Sequence, residues 1–369
     1  LPRILFIAAH RPDRSPSQRF RFEQYFDFFR EHGFECDFSF LLNEREDKTF
    51  YSRGKILAKI NVFVDSWKRR QHDAMLASSY DIIFIQREAF MTPSIRFEKI
   101  FSKSGAKVIF DFDDAIWKMD ISDGNRMFKW LKDPSKTPKI ISLSHHIIAG
   151  NPYLADYAKQ FNSNVTVIPT TIDTNYHLRK TEYREKEKIC IGWTGSLTTI
   201  KHFRLAEGIL KRLKNKYGEK IYFKVIGEKS YRNDELGIVG TPWNRKTEIS
   251  ELEGIDIGIM PLEDDEWSKG KCGFKGLQYM AMEIPAVLAN VGVNTEIIQH
   301  GENGFIAKNN EEWFELLSQL IDSFELRKKL GKAGRKTILE KYSVESQKGK
   351  YLDVMKGLLG EDNRIKSKD

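Results

Sequence analysis

At 369 residues the chain is long enough for two α/β domains of ordinary size, and its many aliphatic and aromatic residues exclude a disordered tether. A formal net charge of +8 and a pI near 9.1 favour an anionic partner (nucleotide diphosphate, nucleic acid or acidic membrane surface) without choosing among them. Three cysteines, Cys36, Cys190 and Cys272, show neither a CxxC pair nor metal-ligand spacing, which fits a reducing cytosol, and no apolar run reaches the roughly 18 residues of a bilayer span.

Leu1 to Ala9 reads as a first strand, too short and poorly flanked for a signal peptide; a start at Leu suggests a trimmed N-terminus. The loop HRPDRSPSQRFRFEQ follows. Its His10, Arg11, Arg14, Arg19 and Arg21 suit a phosphorylated or acidic partner, and no nucleic-acid recognition motif accompanies them. Arg19 to His32 has the spacing of one amphipathic helix ending at Gly33, and Glu35 to Phe40 that of a second strand. KILAKINVFVDSWKRR, from Lys55 to Arg70, is apolar with basic ends: a docked helix, or a segment lying on anionic lipid. Strands are expected at Asp81–Gln86, Lys107–Phe112, His145–Ala149 and Val165–Pro169, with His145 and His146 as satisfied strand histidines. VIFDFDDAIW places Asp111, Asp113 and Asp114 at the end of a buried strand, as a metal site, as acid/base groups, or as caps of the next helix.

The run RKTEYREKEK, Arg179 to Lys188, lacks apolar periodicity and reads as a linker, after which the pattern restarts. Ile189 to Trp193 is a strand, followed by a Gly195-Ser196 turn and a helix near Phe203 to Leu213. Ile221 to Ile226 then runs into Gly227. Gly195 permits close backbone approach and Lys201 brings a cation to the same turn, a combination suited to phosphate. Helices at Glu311–Ile321 and Glu325–Tyr342 finish this half. Val344–Leu359 is amphipathic, and GEDNRIKSKD reads as a frayed tail. Strands alternating with helices specify an α/β fold of two parallel, doubly wound halves.

The densest information lies in residues 254–305. Ile255 to Met260 is an apolar strand stopped by Pro261; a charged loop follows, and then Phe274, Leu277, Met280 and Ala281 recur at helical spacing up to Pro285. Lys269, Lys271 and Lys275 cluster before and inside the first turn of that helix, where unpaired N–H groups already favour an anion; the alternative is a solvated lysine loop.

KGLQYMAMEIPAVLANVGVNTEIIQHGENGF resembles the sugar-nucleotide stretch of retaining GT-B glycosyltransferases, glycosyltransferase family 4, whose wording is close to K-x-x-E-Y-M-A-x-G-x-P-V-V-A-S, then G-x-x-E-I-I and G-x-N-G. The resemblance implies two Rossmann-like domains facing a cleft. Residues 1–178, with a terminal helix of about 344–369 crossing back, form the acceptor side, and residues 179–343 the donor side. It implies glycosyl transfer from a UDP- or GDP-linked sugar to a hydroxyl of a glycan, lipid-linked or other acceptor, with retention. No metal or cofactor is needed and no nucleic acid is bound. The setting is polysaccharide assembly, cytoplasmic, with peripheral contact at the inner membrane face.

The donor set it implies is Gly195, Ser196, Lys201, Gly227, Lys271, Lys275, Gln278, Asn294, Thr295 and Glu296. Lys201 and Lys275 meet the diphosphate and Gln278 the ribose. DFDDAIW also occurs in a branch of the family, giving Asp113 and Asp114 hydroxyl contacts at the cleft, while His10, Arg11, Arg19 and Arg21 face the acceptor. Three departures stand out: Ser196 occupies the place of an Arg, Gln278 that of a glutamate, and Gly270 that of another. They keep a non-catalytic sugar-nucleotide binder open. Asp111 and Asp113 also fit the D-x-D of Mg-dependent haloacid-dehalogenase phosphatases, although Ala115 stands where their Thr would.

Overall fold

Strands of the sort that Ile, Val and Phe build when buried on both faces organise each half of the chain. The computed structural model describes residues 1–52, 54–118, 133–178 and 184–360. It divides into two units, Leu1–Pro169 with Gln347–Asp369, and Thr170–Ser346.

In the first unit β1 (Arg3–His10), β2 (Glu35–Leu42), β3 (Ile82–Gln86), β4 (Lys107–Phe112), β5 (His146–Ala149) and β6 (Val165–Val167) form one parallel sheet, ordered β2-β1-β3-β4-β5-β6. Strand order reverses direction at β1, so the crevice beyond the carboxyl ends of β1 and β3 is where such a sheet takes ligands. The single helix expected over Arg19–His32 is broken into Pro16–Arg19, a 3₁₀ turn Glu23–Tyr25 and Phe26–Glu31. Five consecutive residues, Gln18 to Phe22, are buried, which no amphipathic helix allows. The break sends Phe22 against Phe6 (5.4 Å) and Phe38 (5.4 Å), and Arg21 toward Asp111. Lys55–Arg70 belongs to a longer helix, Ile56–Leu76, that buries Val62, Ser66 and Arg70. His145 accepts the Val108 N–H through Nδ1 at 3.0 Å, and His146 bonds Thr166 at 2.9 Å, both inside the sheet's own frame. From Gln347 onward the final helix, Val344–Leu359, belongs to this unit, where the Tyr351 hydroxyl donates to the Arg21 carbonyl and its ring lies 4.6 Å from Tyr25.

In the second unit β7 (Ile189–Thr194), β8 (Ile221–Ile226), β11 (Ile257–Met260), β12 (Ala286–Ala289) and β13 (Phe305–Ala307) form a parallel sheet ordered β13-β12-β11-β7-β8. A small antiparallel pair, β9 (Arg232–Asn233) and β10 (Ile238–Val239), stands beside it. The switch in strand order falls between β7 and β11. The helix expected near Phe203–Leu213 is two, Ile200–Arg204 and Glu207–Tyr217, separated at Leu205–Ala206 with Leu205 turned to solvent. The helix expected over Glu325–Tyr342 runs as Phe324–Thr337 and then one π turn, Ile338–Tyr342. Residues 179–183 of the expected linker and 361–369 of the expected tail lie outside the described residues.

Candidate active site

The carboxyl ends of β7 and β8 finish in two glycine turns pressed together. Gly227 has φ +104°, and a Cβ there would lie 1.7 Å from the Gly195 carbonyl oxygen; a Cβ on Gly195 would lie 2.1 Å from the Trp193 ring. The Gly195 N–H donates to Ile226, and the Ser196 hydroxyl is shared with Thr198 at 2.9 Å. Only glycine lets the two backbones meet, so their N–H groups and Lys201 in the next helix stand at one edge of the sheet. Lys201 also acts on Asp265. Burial raises the Asp265 carboxyl, but the Ser268 N–H that it caps, together with Lys201 and His202, holds it below the usual range.

From β11 the chain runs through Pro261, a short helix Glu266–Lys269 and Gly273 (φ +68°) into the helix Phe274–Ala281. Lys275, in its first turn, places Nζ 5.5 Å from the Trp193 ring centroid, so the helix start and the end of β7 share one patch. Lys271 sits 5.3 Å over Trp267, while Lys269 is drawn away to Glu266 (3.2 Å) and Asp264 (3.7 Å). Tyr279 fastens the arrangement: its buried hydroxyl accepts the Thr194 N–H at 3.0 Å, and burial raises its pKa. Gln278 is the residue expected at the ribose. It is buried, and its amide nitrogen turns inward to Glu248 Oε1 and His177 Nε2, each 3.3 Å away. Glu248 is held in turn by Tyr176 at 3.2 Å, and Arg245 lies 3.6 Å from it. Asn294 is buried and donates to Ala289, and Thr295 donates to Gly292, so both brace the loop after β12; Glu296 is exposed beside them. Glu283, in the place of a helix-ending glycine, adopts the left-handed φ of +59° that the position requires.

In the first unit the three aspartates separate into two kinds. Asp111 has no exposed surface, and the Arg21 guanidinium bonds both its oxygens while also donating to Ile168. A carboxylate sealed this way cannot attack a phosphate ester, so the phosphatase reading loses its nucleophile. Arg21, expected to face the acceptor, is likewise wholly buried. Asp113 and Asp114 are gripped by one residue, Arg87, through Nε (2.9 Å) and Nη2 (2.6 Å). Arg87 has φ +63°, a conformation that costs a non-glycine residue about 1–3 kcal/mol and persists only where surroundings enforce it. Burial pushes the Asp113 carboxyl up to about 6; Arg87 opposes this and Asp114 reinforces it.

The loop after β1 is less basic in effect than in sequence. His10 (3.5 Å), Arg11 (3.5 Å) and Arg14 (2.8 Å) converge on Asp47, and Arg19 approaches Asp13 at 3.8 Å. Burial disfavours the Asp47 carboxylate, but the His10 and Arg14 contacts prevail and hold its pKa well below the usual range. Close by, burial pushes Glu23 up to about 7 against the Asp13 N–H and Gln18. Among the described residues no group of three or more His, Cys, Asp or Glu side chains is arranged to hold a metal ion. Sequence reasoning missed Arg87, Tyr279, Asp265 and Glu248. Tyr279 alone had a signal, since it lies on the buried side of a helix whose period was visible.

Residues 177–337 match the family described as glycosyl transferases group 1. That part of the chain is similar to a group 1 glycosyltransferase domain. Over 97 residues the chain is 34% identical to EpsD of Bacillus subtilis (strain 168), named as a glycosyltransferase, a stretch that spans 26% of this chain and 25% of that one. Across nearly its whole length the chain is similar in fold to a glycosyltransferase from Rickettsia africae ESF-5, with a TM-score of 0.69, 13% identity, and 97% and 98% of the two chains covered. Anabaena HepE in complex with UDP-glucose gives a TM-score of 0.64 at 11% identity, with 96% and 99% covered. The fold class is that of the GT-B glycosyltransferases.

Proposed function

We propose that the chain transfers a glycosyl unit from a nucleotide-sugar to a hydroxyl acceptor, with retention of configuration and without a required metal ion. The observation that supports this is the meeting of Gly195 and Gly227 at the carboxyl edge of β7 and β8, with Lys275 beside Trp193 and Lys201 in the helix that follows the Gly195 turn, within the stretch that matches group 1 glycosyltransferases. In the reaction the bond between the anomeric carbon and the donor diphosphate breaks, the bond to the acceptor oxygen forms, and the acceptor proton leaves. Negative charge then grows on the diphosphate, and Lys201 and Lys275 answer it. Residues 179–343 serve the donor. Residues 1–178 and the terminal helix serve the acceptor, with Asp113 and Asp114, fixed by Arg87, as hydroxyl-binding groups. HepE, with UDP-glucose bound, makes UDP the first donor class to test and GDP the second. A glycan or lipid-linked acceptor, polysaccharide assembly and a cytoplasmic location complete the reading.

One observation favours a second reading, a sugar-nucleotide binder without turnover: Gly270 supplies no carboxylate and Gln278 is committed inward. Thermal melts with UDP-, GDP-, ADP- and dTDP-sugars in EDTA, followed by assay of nucleoside diphosphate release with an acceptor panel, separate them. A shift with release supports transfer, and a shift without release supports the binder. No shift with any donor removes both.

A further inference from the structure

Trp193, the last residue but one of β7, meets both parts of the patch at that strand's carboxyl edge. Its side chain has no exposed surface. The edge of its ring lies against the Gly195 turn, where a Cβ would stand 2.1 Å from Cη2 and 2.4 Å from Cζ2. Over its face sits the Lys275 Nζ, 5.5 Å from the ring centroid, and Phe203 packs at 5.7 Å with its plane tilted by 49°. The helix Phe274–Ala281 fixes this arrangement. The Tyr279 hydroxyl accepts the Thr194 N–H at 3.0 Å, which sets the level of the helix against the end of β7. Lys275 is one turn earlier on the same helix face, so its stem is carried to the residue before Thr194, which is Trp193.

Packing alone does not explain an indole at this position. Its N–H has no hydrogen-bond partner among the described residues, although the atom is sealed from solvent. Buried indoles ordinarily find an acceptor, and a donor left without one disfavours the folded state. A phenyl ring here would leave no such donor. What indole has over phenyl is the stronger attraction of its face for a cation. The ammonium over that face belongs to a flexible four-carbon stem, and a stem already held in place has less freedom left to lose when a ligand binds. Trp193 therefore joins two elements: its edge bounds the Gly195 turn, and its face sets where the Lys275 charge stands.

We propose that Trp193 is a positioning residue for the donor diphosphate: its face holds the Lys275 ammonium beside the Gly195 turn, so that this cation is in place before the nucleotide-sugar arrives. The assignment rests on the glycosyl-transfer reading. The test is a double-mutant cycle on the calorimetric binding of UDP and GDP in EDTA. Trp193→Leu is expected to weaken the diphosphate about threefold, and Trp193→Phe less, following the strength of attraction between cation and ring. Lys275→Ala, expected to weaken binding about 10-fold in the wild type, should weaken it only about threefold in the leucine variant. A purely structural role for the indole would lower the melting temperature and leave the two losses independent. Trp193→Phe keeps an aromatic ring in the core and removes the unpaired N–H, so the same cycle runs on it if the leucine variant fails to fold. A loss from Lys275→Ala that is equal in both backgrounds, or no loss from it in the wild type, overturns the assignment while nucleotide binding by the wild type leaves the transfer reading standing. A wild type that binds neither diphosphate overturns both.

Discussion

Restoring the residue that the family carries at position 278 is expected to damage this protein. Gln278→Glu places a carboxylate where the amide nitrogen now stands 3.3 Å from Glu248 Oε1, with both side chains buried. Two like charges about 4 Å apart repel by about 4 kcal/mol at the effective dielectric of such sites. The protein can instead protonate one of them, at about 1.4 kcal/mol for each pH unit above a reference near 4.3. At pH 8 protonation costs more than the repulsion, so the full penalty of about 4 kcal/mol stands; at pH 5 protonation limits it to about 1 kcal/mol. The sign follows from linkage. The new carboxyl has a folded pKa above its unfolded value, so its penalty is full above the folded pKa, shrinks as pH falls below it, and is gone below the unfolded value. His177, 3.3 Å from the same atom, works in the same direction once protonated. Melts at pH 5 and pH 8 should show a drop of roughly 8–16 °C at pH 8 and a quarter of that at pH 5. A variant as stable as wild type at pH 8, or equally destabilised at both, would show that Gln278 does not sit against Glu248.

Removing Arg87 takes away the cation that opposes protonation of Asp113, whose carboxyl already lies near 6. In Arg87→Ala the acidic limb of the kcat/KM profile should therefore move upward from about pH 6; a limb that stays in place or moves down contradicts the clamp. Gly227→Ala combines a left-handed backbone with a Cβ 1.7 Å from the Gly195 oxygen and should cost about 3–5 kcal/mol and eliminate donor stabilisation in melts. Gly208→Ala, in the helix Glu207–Tyr217 with no atom near its added Cβ, should leave the melt level or slightly raised. Tyr279→Phe leaves the Thr194 N–H without its acceptor, for a loss of about 1–3 kcal/mol by denaturant titration.

What could be read along the chain was what depends on near neighbours. The strand Lys107–Phe112 emerges with the bounds that its apolar run specified, and the helix from Phe274 places Lys275 in its first turn as the spacing required. What escaped depends on partners far apart in sequence. Nothing near Arg21 announces Asp111, 90 residues away, although that pair breaks the expected helix. Arg87 reaches Asp113 across 26 residues from a backbone conformation no pattern predicts for arginine. The arginines after β1 looked available because the sequence does not show that Asp47 gathers Arg11, Arg14 and His10.

The central claim is that Lys201 and Lys275, beside the paired glycine turns, hold the donor diphosphate. Calorimetric titration of UDP and GDP into the wild type and into Lys201→Ala, Lys275→Ala and the double variant, all in EDTA, measures it directly. The account predicts metal-independent binding of one nucleotide, weakened about 10-fold or more by each substitution as a charge-assisted contact is lost, and further in the double variant. Undiminished affinity in the double variant, or binding that appears only when Mg²⁺ is restored, would contradict it.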